Sequence, residues 1–282
     1  MILVDLNQVL ISNLMAQSRG NIEEILDKDM VRHMVLNSLR GYNLKFKKEY
    51  GEMILCADAS DPWRRDIFPY YKYARRKGRE DSATDWNKIF NMINDIRIEI
   101  TENMPYKVLH IDKVEADDII ATIVKITGTD VQPILIISGD KDFIQLQKKK
   151  FVKQYAPIQK KFIEDEDPKK FLREQIIKGD RSDGIPNILS ADDIFTKDEK
   201  QKPITKNRLE EWIDIENIPL GTETSKYYQR NKQLIDLSMI PLDIELSIIN
   251  RYRFYDYPNR NKMLDYFIKH KLKALISNIN DF

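Results

Sequence analysis

The chain has 282 residues, with 46 Lys and Arg against 45 Asp and Glu, 42% hydrophobic and 32% charged residues, and a formal charge of +1. That composition belongs to a globular fold and excludes extended disorder; no apolar run reaches the length of a membrane span, and no basic-flanked leader opens the chain. One cysteine, Cys56, and three histidines in unrelated contexts exclude an internal disulfide, a Cys-rich zinc site and a Ser/His/Asp triad, and they fit a reducing cytoplasm.

Met1–Leu6 reads as a buried strand that ends at Asp5. A helix is predicted over 29–47, with Met30, Met34, Val35, Leu39 and Tyr42 near one face. Glu52–Cys56 is a second strand, followed by Asp58. Residues 61–80 contain Pro62, Pro69 and Gly78 and read as a loop or broken helix. A helical pattern resumes over 84–103 through Trp86, Ile89, Phe90, Ile93 and Ile96. Tyr106–His110 is a third strand. Glu115–Thr127 is a helix that opens on acids, as its positive N-terminus favours. Pro133–Ile137 is a fourth strand, followed by the letters SGDKDF. A strand pair over 151–163, a helix over 168–178, the loop GDRSDGIPN at 179–187 and mostly helical patterns complete the chain. Alternating strands and helices predict an α/β fold: a mainly parallel sheet flanked by helices. A smaller, mostly helical C-terminal lobe follows, so that residues 1–165 form one domain and 166–282 the other.

Asp5, Asp58 and the pair Asp140/Asp142 lie at or just beyond strand C-termini, and Glu115/Asp117/Asp118 start the helix after the third strand. In a parallel sheet these positions share one edge, where ligands bind. Asp180 and Asp183 sit in the Gly-flanked loop. Each acid alone has a structural explanation, as a cap, a turn residue or a partner of a helix dipole. Together they repel: two unit charges about 4 Å apart cost roughly 4 kcal/mol at an effective dielectric of about 20. A bound cation removes that cost. Oxygen ligands without Cys or His suit Mg²⁺ or Mn²⁺, and two such ions form a clamp for phosphodiester hydrolysis.

Residues 63–79 hold seven basic residues and one acidic one, interleaved with Trp63, Phe68, Tyr70, Tyr71 and Tyr73. Arg64, Arg65, Lys72, Arg75 and Arg76 suit phosphates, and the aromatics suit stacking on unpaired bases. Solvated charge is the plainer reading of such a run. The same holds for Lys148–Lys150, Lys160/Lys161 and Lys169/Lys170, and Trp212, Tyr227 and Tyr228 read as packing residues.

MILVDL, EADD at 115–118, SGDKDF at 138–143 and GDRSDGIP at 179–186 occur in the order of the motifs of the flap-endonuclease/5′-nuclease family. WRRDIFPYYKYARR resembles that family's F-P-x-Y-K-x-x-R segment, and the likeness runs over nearly the whole chain. The resemblance implies a PIN-like domain with two Mg²⁺ ions, Mn²⁺ substituting. It matches Asp5, Asp58, Glu115, Asp117, Asp140, Asp142 and Asp183 to metal-site carboxylates, and Asp118 and Asp180 to ligands or their neighbours. It implies a helical arch over the site at about 61–80. In that arch Lys72 and Arg75 act on the scissile phosphate, and Tyr71 stacks on a base. The activity it implies is 5′→3′ exonuclease and flap cleavage of DNA and of RNA in RNA–DNA hybrids, with primer removal in phage replication as the role. Its partners would be DNA or a hybrid with a 5′ end, a single-stranded DNA-binding protein and a sliding clamp; a monomer is expected. Many relatives continue G-I-P-G-x-x-G into a helix-hairpin that grips duplex backbone and a monovalent ion. Here Asn187 replaces the second glycine and ILSADD supplies no third, which implies an altered duplex grip and speaks against a K⁺ site. Two other readings remain: a PIN-type endoribonuclease, whose chains are usually shorter and lack GDxxDGIP, and a non-catalytic nucleic-acid-binding replication factor.

Overall fold

The computed structural model describes residues 1–18, 27–127, 132–197, 199–213, 222–259 and 261–282. The helical reading of 214–221 and 260 lies outside these. The strands are β1 (Ile2–Asp5), β2 (Met53–Cys56), β3 (Lys107–Leu109), β4 (Ile134–Ile137), β5 (Val152–Ala156) and β6 (Lys161–Ile163). They form one six-stranded sheet in the order β3-β2-β1-β4-β5-β6, parallel throughout except for the β5–β6 pair. β1, β2 and β4 are buried at every position, so both faces need cover, and parallel strands need helical crossovers.

The helices are α1 (Leu6–Ser18), α2 (Lys28–Tyr50), α3 (Arg64–Ile67), α4 (Tyr73–Glu80), α5 (Trp86–Asn103), α6 (Ala116–Thr127), α7 (Pro168–Lys178), α8 (Lys206–Trp212), α9 (Glu223–Ile235), α10 (Leu242–Arg253), α11 (Asn261–Lys269) and α12 (Lys273–Ile276). Among the described residues no helix is long and apolar enough to cross a membrane. Alternate sheet residues feed opposite cores. Ile2, Val4, Leu55, Leu135 and Ile137 pack with α1, α2, α5, α11 and α12. Leu3, Ile54, Cys56, Ile134 and Ile136 pack with α6 and α10.

The residues expected to form a C-terminal lobe take two places. α7, α8 and α9 build a third apolar cluster around Ile177, Ile188, Trp212 and Tyr228, joined by Phe68 and Tyr71 of the basic segment. α10, α11 and α12 return to the sheet and complete the other two clusters. The predicted α2 stripe is also rotated. Val31, Val35, Leu39, Asn43 and Phe46 face inward, while Met30 is exposed. The reason is Arg32, which the helix buries beside Val31.

Arg32 carries a buried charge that α5 and α11 answer. Its Nε lies 2.6 Å from Glu99 Oε2 and its Nη2 3.0 Å from Glu99 Oε1, and the Tyr266 hydroxyl donates to Glu99 at 2.9 Å. Burial alone would raise the Glu99 carboxyl; Arg32 and Tyr266 outweigh it and hold the group at about 2, against 4.5 for an ordinary Glu. A carboxyl lowered on folding stabilises the fold above the unfolded value and loses that contribution as pH falls through the folded one. Glu99→Gln is therefore expected to cost about 2 kcal/mol at neutral pH, discounted for partial exposure. The gap from wild type should close between pH 4.5 and 2, as read by urea unfolding across that range.

Candidate active site

β1 sits at the centre of the sheet, where the chain order runs one way through β2 and β3 and the other way through β4 and β5. Such a switch point leaves a crevice at the strand C-termini. Asp5, the last residue of β1, stands there. Its Oδ1 accepts from the Gln8 amide at 3.1 Å, capping α1, and its Oδ2 accepts from Ser138 Oγ at 3.1 Å beyond β4. This cap explains why α1 follows the strand with no turn between them. The sequence offered no separate start signal for α1, and the helix was not predicted.

The other acids are placed by the same economy of strand ends and helix starts. Asp58 follows β2, and its Oδ1 accepts from the Ala116 amide of α6 at 2.8 Å. Glu115 precedes α6, with Asp117 and Asp118 in its first turn. Asp140 caps the 3₁₀ helix Lys141–Lys148 through the Asp142 amide at 3.0 Å. Asp142 accepts from Gln175 of α7. Asp180 folds the 179–187 loop by accepting from Ser182 Oγ at 2.7 Å and from the Asp183 amide at 3.2 Å.

Asp5, Asp58, Glu115, Asp117 and Asp140 line one cleft, together with Lys72 and Arg75. Asp142, Asp180 and Asp183 are not among the residues that line it; burial, then Asp140 and Asp183, raise Asp142. The cleft measures ≈ 1400 Å³, above the roughly 300–1,000 Å³ of small-molecule pockets. α4 and α5 close one side, where the Arg79 guanidinium lies over the Phe90 ring at 4.7 Å.

Two residues expected at the nucleic acid are instead buried. Arg64 is 2% exposed. It grips Asp118 through two guanidinium nitrogens at 2.8 and 3.1 Å, reaches Glu115 at 2.8 Å, and donates to the Leu234 carbonyl at 3.0 Å. Tyr71 is also 2% exposed. Its hydroxyl lies 3.1 Å from both Glu115 Oε2 and Asp183 Oδ2, and the Lys72 ammonium lies 4.9 Å from its ring centre. Arg64 and Tyr71 are thus engaged by the protein's own groups, where the sequence reading had placed them at phosphate and base. Arg65 is half-buried and pairs with Asp61 at 3.2 Å. Arg76 is half-buried, with its guanidinium 6.0 Å from the Tyr73 ring centre. Arg75 is exposed and pairs with Asp183 at 2.6 Å.

Lys72 adopts a left-handed conformation, φ 56°, at the start of α4. Its amide donates to the Asp183 carbonyl at 2.7 Å while its ammonium meets Glu115 and comes within 3.8 Å of Asp183. Gly184 makes this docking possible. A Cβ there would stand 2.9 Å from the Tyr70 carbonyl, and φ is +73°.

Electrostatics divides the cluster. At Glu115 burial acts upward, but Lys72 and Arg64 outweigh it and hold the carboxyl near 2. At Lys72 burial acts downward, and Asp183 and Glu115 outweigh it and raise the ammonium. Asp5 goes the other way: burial, then Asp58 and Asp140, push it up to about 8. Burial and Asp140 push Asp142 up to about 8 as well. Burial also raises Asp117 well above the usual carboxylate range. Asp117 is raised although Arg64 stands 3.7 Å away, so burial and the neighbouring acids outweigh that counter-charge.

Ligand oxygens of Glu115, Asp117 and Asp118 lie within 4.8 Å of one another. Asp118 is not free to ligate. It is fully buried and already accepts from Arg64, from Trp63 Nε1 at 2.9 Å and from the Glu115 amide at 3.1 Å. Asp5, Asp58, Glu115, Asp117 and Asp140 remain on the cleft, an all-oxygen donor set that fits a hard divalent cation. Sequence reasoning missed the part that Ser138 and Gln175 play in orienting these acids, and it read Trp63 as a stacking aromatic where its Nε1 donates to Asp118.

A family model for the 5′-3′ exonuclease N-terminal resolvase-like domain matches residues 3–176, and one for the C-terminal part of T4 RNase H matches residues 169–282. Ribonuclease H of Enterobacteria phage T4 is 37% identical over 292 residues, which covers 99% of this chain and 95% of that protein. Flap endonuclease Xni of Shewanella pealeana is 33% identical over 45% of this chain and 48% of its own length. Among solved structures, the T5 5′-exonuclease with bound divalent metal ions (zinc) superposes with a TM-score of 0.61 at 15% identity, over 97% of this chain and 99% of that one. A bacteriophage T5 flap endonuclease complex with DNA and metal ions gives 0.60 at 17% identity, over 97% and 98%. At those identities the likeness is one of fold.

The raised acids give a test of the donor set. Asp5 binds its proton more tightly folded than unfolded, so without metal its contribution to stability is full below about 3.8 and is lost as pH rises through about 8. A divalent cation held by Asp5 must displace that proton. Mg²⁺ is therefore expected to raise the melting temperature more at pH 8.5 than at pH 6, and calorimetry in buffers of different ionisation enthalpy should record proton release on binding. An Mg²⁺ effect equal at both pH values would contradict the assignment.

Proposed function

The chain belongs to the 5′-3′ exonuclease family, and from that premise we propose a Mg²⁺-dependent 5′→3′ exonuclease and flap endonuclease acting on DNA and on RNA in RNA–DNA hybrids. The observation that carries the reading is the single cleft in which acids from three strand ends and the start of α6 face Lys72 and Arg75. Primer removal from lagging strands, the role that the resemblance implies, belongs to the same proposal. So does the division of labour, with residues 1–165 cutting and residues 166–282 holding the duplex through the 179–190 hairpin.

Asp5, Asp58, Glu115, Asp117 and Asp140 would hold two Mg²⁺ ions, with Asp142 and Asp183 orienting the set. Such ions, when bound, activate water and stabilise charge at phosphorus. The chain's own groups do the rest. Arg64 and Tyr71 fix Glu115 from its buried side, so its outward oxygen keeps one direction. Lys72 would trade its Glu115 contact for a phosphate oxygen, and Arg75 would add a second positive charge at the developing dianion. α4 and α5 would wall the unpaired 5′ strand, and Arg65, Arg76 and Arg79 would meet its phosphates.

A 5′-labelled flap and a nicked RNA–DNA duplex test the reading. Cleavage from the 5′ end is expected with Mg²⁺ and is lost in EDTA. Cleavage only within single-stranded RNA would favour the endoribonuclease reading, and tight binding with no cleavage the non-catalytic one. Asp140→Asn is expected to lower kcat by at least about 100-fold, while substrate binding holds or tightens because repulsion of phosphate falls. Lost binding with lost folding would remove Asp140 from the proposed role. Lys72→Ala with Arg75→Ala should lower kcat about 100-fold or more while circular dichroism still reports a folded chain; some loss of melting temperature is expected because Glu115 and Asp183 lose their partners. Unchanged kinetics would end their proposed part in catalysis.

A further inference from the structure

The 179–190 loop departs from the G-I-P-G-x-x-G pattern of many relatives, and Arg230 binds its backbone carbonyls. Arg230 lies on α9, and its side chain is 11% exposed. Nη2 donates to the Pro186 carbonyl at 2.8 Å and to the Asn187 carbonyl at 3.4 Å; Nη1 reaches the Ser190 carbonyl at 3.5 Å. Nε donates to Asn231 Oδ1 at 2.9 Å, and Asp192 pairs with Nη1 at 2.5 Å. The guanidinium lies 4.8 Å from the Tyr227 ring centre and 5.7 Å from that of Phe68. Asn231, fully buried, donates to the carbonyls of Ile176 and Pro186 at 2.8 Å each. The Asn187 side chain occupies the turn itself, accepting from Ser190 Oγ at 2.8 Å and donating to the Lys202 carbonyl at 2.8 Å.

Converging carbonyl oxygens are ligands for a hard cation. Here a planar guanidinium takes that place, with donors fixed in direction and a charge that cannot titrate. The residues therefore do not fit the monovalent ion that many relatives grip, in keeping with the missing glycines. We propose that Arg230 is the resident cation of this loop and a positioning residue for duplex binding, so that the loop holds its shape without K⁺ or Na⁺. The effect extends toward the cleft, because the Ile185 amide donates to the Asp180 carbonyl at 2.7 Å and the Asp183 carbonyl carries Lys72. The duplex part of this inference rests on the function proposed above; the cation part does not.

The wild-type chain tests it without mutation. Melting temperature and affinity for a nicked duplex with a 5′ overhang, measured in EDTA, should be equal in KCl and in tetramethylammonium chloride at one ionic strength. A clear preference for K⁺ in either quantity would overturn the proposal. Arg230→Met keeps the stem and removes the positive charge from the Pro186, Asn187 and Ser190 carbonyls and from Asp192, leaving the Pro186 carbonyl to Asn231 and the Asn187 carbonyl to the Ser190 amide. In tetramethylammonium it should melt lower and bind duplex about tenfold more weakly, and K⁺ should restore much of both. A variant that equals wild type in tetramethylammonium, or that recovers equally with either cation, would overturn the role. A melting temperature rescued by K⁺ with duplex affinity unchanged throughout would uphold the resident cation and remove this loop from duplex binding. If Arg230→Met does not fold, the wild-type comparison decides.

Discussion

Like charges gathered on one edge of a sheet set the terms for everything else in this molecule. The parallel topology carries the ends of β1, β2 and β4 and the start of α6 to a single crevice, and each brings a carboxylate. Water would screen such a group on an open surface; in a half-buried cleft it is screened much less. The fold answers on one side only. Lys72 and Arg64 hold the Glu115 carboxyl low, while Asp5 and Asp142 are pushed up to about 8 and Asp117 stays raised beside Arg64. The protein's own cations answer Glu115 and leave the repulsion among the other acids incompletely met.

Arg64 makes the satisfied side possible. Removing one partner of a buried ion pair typically costs about 3–5 kcal/mol, and Arg64 serves Asp118, Glu115 and the Leu234 carbonyl at once. It therefore joins the basic segment to α6 and to the end of α9. Trp63 strengthens the joint, donating to Asp118 while its ring lies 4.7 Å from the Arg64 guanidinium. The segment thus has a buried foot, Trp63, Arg64, Phe68 and Tyr71, and an outer part, Arg75 to Arg79, that faces the cleft or solvent. One composition covers two physical roles.

This division marks where the sequence was legible and where it was not. Apolar strands ending in Asp, and the EADD start of α6, were readable because strand burial and helix polarity are local properties. Convergence of the acids was readable from topology, since parallel strands share an edge. Arg64 was not, because its partners lie 51 and 54 residues away, and a run rich in Arg says nothing of which one turns inward. The same limit hid Tyr71 among three neighbouring tyrosines. α1 was missed because its cap is Asp5, already assigned to the site. The C-terminal helices read as a lobe because helical periodicity reveals an apolar face but not the surface it will meet.

The docking of the 179–187 loop on the basic segment shows how these parts become one device. Gly179 leaves its helix at φ +69°, where a Cβ would fall 2.3 Å from the Ile185 carbonyl, and Gly184 lets the chain pass against Tyr70. Both glycines therefore serve close backbone approach. The loop that results holds Asp183 against Lys72 and Tyr71 at one end and its carbonyls against Arg230 at the other. The same short loop therefore connects the Arg230 guanidinium to the Lys72 backbone through its own carbonyls, so the basic segment and α9 are tied to each other without passing through the sheet.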